Sequence, residues 1–210
     1  AAQEMTAADS LRQALEEARE GGELLESLTF AHVDASALDF SDLTGRHLAF
    51  HACRLTACDL SGAAFYNCDF TACRFTQCRF PVSYWKSCRL TGCKSDGGDF
   101  RRSRFKDCSL DGGVFRYANF TGSVLDRCTL SKCDFTESTL AECRISKTAF
   151  QSVDLTGVEL FRTPFKGTDL SSCVLDRVSL SETCAELRGA KIHASQAAVV
   201  ARILGIIIVP

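Results

Sequence analysis

A solenoid is the fold class this sequence predicts, on three observations. Residue numbers divisible by five, from Phe30 to Ala185, are Leu, Phe, Ile or Trp at all but four of 32 positions, the exceptions being Ala35, Gly45, Ser95 and Ala185. The residue two before each, from Leu28 to Thr183, is Cys, Ala, Ser, Thr, Gly or Val, with Leu only in the first coils. No insertion breaks this register over nearly 160 residues. A helix repeats at 3.6 residues and a strand at 2, so a period of five belongs to neither alone. Two residues in five, one small and one large, point inward and three point out, and units of this kind stack neighbour on neighbour.

The totals agree. The chain has 210 residues, 46% apolar and 24% charged, with a net charge of -2, which is ordinary for a globular domain with a sizeable core. Fourteen of the 15 phenylalanines fall in the large inward class, Phe161 being the exception. Twelve of the 13 cysteines fall in the small inward class, Cys184 being the exception. An odd count at a repeat spacing reads as free thiols used as small core residues in a reducing compartment, so a cytoplasmic location is expected. No charged-then-apolar signal peptide opens the chain. The longest apolar stretch, Ala197 to Pro210, is interrupted by Arg202 and too short to span a bilayer, so no membrane partner is expected. Met5 is a candidate natural start, with residues 1–4 added ahead of it.

In chain order, residues 1–27 carry a capping helix. In "TAADSLRQALEEAREGG", Asp9 or Ser10 is the expected N-cap, Leu11 and Leu15 share a face, and Gly21-Gly22 ends the helix. Residues 28–185 are the repeats. Within them "CKSDGGDF" places Ser95 where a core Leu or Phe is due, which predicts a bulge or loosened turn near Gly97 and Gly98. Residues 186–210 are a second cap, with Ser195 as N-cap, Gly205 as C-cap and "IIIV" as a short strand. Val199, Val200, Ile203, Leu204, Ile206 and Ile208 are more apolar surface than one cap needs. They are the candidate interface of a homodimer, the alternative being that they fold wholly onto the last coil.

The units "CDLSG", "CDFTA", "ANFTG", "CDFTE", "VDLTG" and "TDLSS" match the pattern A-(D/N)-L-x-x, and over roughly three-quarters of its length the chain resembles the pentapeptide-repeat family. Arg replaces Asp or Asn in "CRLTA", "CRFTQ" and "SRFKD", a change to the surface and not to the core. The resemblance implies an all-β fold, a right-handed quadrilateral β-helix with four pentapeptides per coil, so that residues 28–185 would make about eight coils. At the strand spacing of about 4.8 Å such a rod is roughly 38 Å long. The terminal "SQAAVVARILGIIIVP" resembles the dimerisation module of the Qnr and MfpA branch. Members of that branch are dimeric, DNA-shaped rods. They bind DNA gyrase or topoisomerase IV without catalysis and protect it from fluoroquinolones.

With that geometry Cys53, Cys73, Cys93, Cys133 and Cys173 share one column, and Cys68, Cys88, Cys108 and Cys128 another. Neighbours lie within disulfide reach, but parallel buried side chains read as packing. No C-x₂-C pair suggests zinc. His47 and His51 fall outward on adjacent sides, away from any metal arrangement. No nucleophile–base pair and no phosphate-binding glycine motif appears, so no enzyme, metal or cofactor is expected. The surface remains. The side centred on residues 45, 65, 85 and onward carries Arg46, Lys86, Arg104, Lys106, Arg127, Arg144, Lys147 and Lys166 against Asp107 and Asp126, a net of +6. The side centred on 40, 60, 80 carries a net of -3, and the other two -1 each. This basic ridge suits an acidic partner surface or a phosphate backbone, with direct nucleic-acid contact left open, and the alternative is a solvated face of laddered charge.

Overall fold

A computed structural model describes residues 6–209. The candidate start at Met5 and the four residues before it lie outside them.

The chain forms a four-sided β-solenoid. Its first face is a parallel sheet of seven three-residue strands, Leu24–Glu26, Thr44–Arg46, Ala64–Tyr66, Tyr84–Lys86, Arg104–Lys106, Val124–Asp126 and Arg144–Ser146. Its second is a seven-stranded sheet running from Thr29–Ala31 to Ala149–Gln151. The third begins with Asp34–Ser36, Arg54–Thr56 and Arg74–Thr76 and continues as single parallel bridges through Lys94, Val114, Asp134, Asp154 and Val174. The fourth consists of bridges alone, a column of Asp39, Asp59, Arg79, Asp99, Asn119, Thr139, Glu159 and Ser179. Partners are 20 residues apart in sequence throughout, except at the last bridge, where Asp169 meets Lys191. Pairing starts at Leu24, inside the segment that the sequence assigned to the N-terminal cap.

Both inward classes are buried along the coils, with Leu28, Ile145, Thr168 and Leu180 half-buried and only Thr183 and Ala185, at the end of the series, exposed. The large residues stack down the axis, as in Phe80–Phe100 at 4.4 Å and 5°, Phe100–Phe120 at 4.7 Å and 3°, and Phe50–Phe70 at 5.0 Å and 2°. The small class does more than fit. Cys53 Sγ donates to the carbonyl of Phe30 at 3.4 Å, Cys73 to Phe50 at 3.4 Å, and Cys93 to Phe70 at 3.3 Å. Ser103 and Ser123 donate likewise to Phe80 and Phe100, each at 2.8 Å. A short donor at this position therefore satisfies a buried carbonyl, which is why Cys and Ser interchange there.

Each corner is turned by a residue in the left-handed region. Every fifth residue from Ser27 to Gly167, Ala37, Ala52, Asn67 and Val82 among them, has φ between +48° and +79°. An L-residue costs about 1–2 kcal/mol there. The repeat offsets that cost through a rung bond from the same residue, such as Ala52 N to Thr71 O at 2.8 Å.

The expected bulge at Ser95 is absent. Lys94 bridges Arg74 and Val114 in the common register, and Ser95 is buried. Gly97, at φ +66°, occupies the corner that every other unit has, so the small side chain is absorbed in register, although this face runs as single bridges from Lys94 onward.

Helix α1 (Ala7–Glu20) lays Leu11, Leu15 and Ala18 on the first coil. Its N-cap is Thr6, not Asp9 or Ser10. Thr6 Oγ1 accepts from Asp9 N while the Asp9 carboxylate accepts from Thr6 N, both at 3.1 Å. This reciprocal box uses Asp9 at the third helical position and starts the helix earlier. Gly21 closes it.

At the other end Glu186 is buried, and its Oε1 accepts from Arg162 N at 2.9 Å and Ser181 N at 3.0 Å. One carboxylate thus stands where the next coil would supply a carbonyl. His193, not Ser195, begins the last helical segment, its Nδ1 accepting from Ser195 N. Gln196 then ties helix α2 (Ala197–Ile203) back by donating to Leu170 O and Cys173 O. Gly205 follows at φ +76°. The expected strand over Ile206–Val209 does not form, since no rung in this chain runs beside it.

Candidate interaction surfaces

The basic ridge is the first face and its corner. Outward positions flank each buried large residue, so Arg46, Tyr66, Lys86, Lys106 and Asp126 form one column, in register rung by rung. Tyr84 opposes Arg104, and Arg144 follows Val124 in the next column. The parallel rungs fix these side chains at strand spacing on a backbone that cannot shear.

Ion pairing divides the eight cations. Arg127 is held by Asp107 at 2.7 Å and by Asp126 at 3.0 Å, so it is a neutralised corner and not free charge. The Arg127 guanidinium beside Asp107 keeps that carboxyl below the usual range, with Lys106 and Lys86 adding to the effect. Arg46, Lys86, Arg104, Lys106, Arg144, Lys147 and Lys166 make no ion pair among the described residues. Arg46 instead lies over the Tyr66 ring, 5.7 Å from its centroid, and Tyr66 and Tyr84 are 5.6 Å apart.

A second basic column was hidden by summing charge over whole sides. Arg54, Arg74 and Lys94 sit on consecutive rungs of the third face, all exposed. Asp34 opposes Arg54 on the rung before, and beyond Lys94 the carboxylates Asp96 and Asp134 flank Arg116 at 4.0 and 3.1 Å. Reading the residues 20 apart as a column, rather than adding a side, exposes it.

The six apolar candidates at the C-terminus separate into two groups. Val199, Val200 and Ile203 pack against the core. Leu204, Ile206 and Ile208 are exposed, together with Ile207 and Val209, which the sequence reading left out. A groove of about 770 Å³ lies between the last coil and α2, lined by Val178, Leu180, Cys184, Val199, Arg202 and Ile203 among others. Among the described residues no group of three or more His, Cys, Asp or Glu is placed to hold a metal ion. No helix there is long and apolar enough to cross a membrane. His47 and His51 are exposed, and His51 meets His32 edge to face at 5.7 Å.

The model of pentapeptide repeats matches residues 50–81 and 118–157 in eight copies. A comparison with curated protein sequences gives no match. Among solved structures, a trypsin-treated variant of QnrB1, described as a plasmid-mediated fluoroquinolone resistance protein, is 16% identical with a TM-score of 0.48, over 89% of this chain and 100% of that one. HetL, a pentapeptide repeat protein involved in heterocyst differentiation regulation in the cyanobacterium Nostoc, is 10% identical with a TM-score of 0.33, over 84% and 92%. A pentapeptide repeat protein of the Arabidopsis thaliana thylakoid lumen is 19% identical with a TM-score of 0.27, over 70% and 86%. The matched repeats lie within one unbroken five-residue register wound four units to the coil, and over residues 50–81 and 118–157 the chain carries pentapeptide repeats.

Proposed function

We propose that this protein is a non-catalytic binding rod whose first face docks an elongated polyanionic surface. The observation that carries it is the set of seven cations without an ion pair among the described residues, gathered on one flank of the solenoid, where other arginines do meet carboxylates elsewhere: Arg89 with Asp69, Arg101 with Asp99, Arg116 with Asp134. Exposed pairs are worth little individually, but unpaired like charges on adjacent rungs cost self-repulsion that a polyanion relieves. The test is a charge reversal, Arg104→Glu, Lys106→Glu, Arg144→Glu and Lys147→Glu together. Polyanion binding should disappear with the melting curve preserved, and retained binding defeats the reading.

A second reading is favoured by the exposed segment Leu204–Val209. Its resemblance to the terminal module of the Qnr and MfpA branch suggests a homodimer, and a dimeric rod that occupies a type II topoisomerase and protects it from fluoroquinolones. The charge of the first face opposes DNA mimicry, which needs an acidic surface, and leaves the fourth side as the candidate contact. A gyrase supercoiling assay with a fluoroquinolone decides it: protection that Ile206→Asp with Ile208→Asp abolishes supports it, and no protection at any concentration removes it.

A further inference from the structure

Four of the free cations and two aromatic rings form a single patch at one end of the basic face. Arg46, Tyr66, Lys86 and Lys106 follow one another in column, with Tyr84 and Arg104 in the column beside them. The patch spans three rung steps, about 14 Å. Both tyrosines are half-buried and lie outside the core, on the sheet's outer side. Arg46 lies over one ring, and the rings are tilted at 53° to each other, not stacked closed. Asp126 and Asp107 bound the patch on the far side and are turned to Arg127.

We infer that this patch binds single-stranded nucleic acid, an assignment that rests on the polyanion reading of the same face. Cations alone would suit a duplex or an acidic protein equally. Rings set between cations are what an unpaired strand uses, because its bases are free to stack on tyrosine and on arginine planes while its phosphates meet lysine. A duplex hides its bases, so Tyr66 and Tyr84 would be idle against it. The flat, unbulged sheet holds the six side chains in place before the strand arrives, so little ordering is lost on binding.

The experiment is fluorescence anisotropy of the full chain with a labelled 20-nucleotide oligothymidine, a 20-base-pair duplex and, as a non-nucleic polyanion, polyglutamate. The oligothymidine should bind more tightly than the duplex. The logarithm of its affinity should fall with that of salt at a slope near -3, about 0.7 for each of four cations. Tyr66→Ala and Tyr84→Ala should each weaken it by roughly fivefold to a hundredfold, in line with about 1–3 kcal/mol per stacked base. Tyr66→Phe and Tyr84→Phe, which keep the ring and guard against misfolding, should bind as the wild type does. Lys86→Gln with Lys106→Gln should reduce the slope by about 1.4. Duplex bound as tightly as single strand, or binding indifferent to the alanine variants, overturns the inference and leaves the polyanion reading standing. Polyglutamate bound without oligothymidine does the same. Binding of none of the three overturns both.

Discussion

At the scale of single residues, the lining of the coil explains most of the unusual composition. Eleven of the twelve buried thiols meet a carbonyl 23 residues back in sequence, and Cys58 donates to Thr56 O instead. Burial pushes Cys133 and Cys143 both up to about 11, so at these two the nucleophilic thiolate is scarce. Cys184 alone is not buried. In native protein, Ellman's reagent should therefore modify one thiol quickly, and all 13 after unfolding. Several fast thiols in the folded state would contradict the lining. Ser95 and Ser138 are where the repeat is least satisfied, each a buried hydroxyl with no partner among the described residues. Removing an orphaned polar atom recovers its desolvation cost, so Ser95→Ala should stabilise by about 1 kcal/mol. A calorimetric midpoint about 2–4 °C higher would register it, and a lower midpoint would show that the hydroxyl holds a bond after all.

Elements in this molecule are coils and caps, and the ends are where a solenoid is weakest. Glu186 closes one end. Burial raises its carboxyl, but hydrogen bonds from Ser181 and from the backbone of Arg162 outweigh that and leave it below the usual carboxylate range. A group whose folded value is depressed contributes stability above its unfolded value and loses it as pH falls through the folded one. The midpoint gap between wild type and Glu186→Gln should be full near neutrality and close as the pH drops below about 4.5, the ordinary value. Glu186→Ala, which strands two backbone N–H groups, should cost about 2–4 kcal/mol. A pH-independent gap for the glutamine variant would mean that charge plays no part in the latch.

The same scale shows what was legible in the sequence and what was not. The coil was legible because its period is rigid: one inserted residue would move every later Phe and Cys. The αL corner was not read. It is diluted, since glycine holds it at Gly62 and Gly97 but Ala52, Gln77 and even the β-branched Val82 take it elsewhere, compelled by rung bonds. The bulge expected at Ser95 failed for the same reason, because neighbouring rungs dictate the path over local composition. Caps were read to within a few residues but not at their atoms. Thr6 and His193 displaced the expected caps through side-chain pairs, with Asp9 and with Gln196, that only the folded turn brings together. The strand expected at the C-terminus needs a neighbour that this chain does not offer.

For the whole molecule, the near-zero net charge conceals an uneven surface. Seven of the eight cations foreseen for the ridge emerge unpaired, and Arg127 is withdrawn by two carboxylates that the sequence placed on the right side but could not place in contact. The third-face column of Arg54, Arg74 and Lys94 supplies an internal control of similar charge without tyrosines between its rungs. The most direct measurement compares polyanion affinity after reversing each set: Arg104, Lys106, Arg144 and Lys147 to Glu on the first face, or Arg54, Arg74 and Lys94 to Glu on the third. Loss of binding in the first variant with the second close to wild type is the result expected of a docking face. Equal losses in both, or none in either, would mean that charge is spread without a face and that the rod does not bind through its first side.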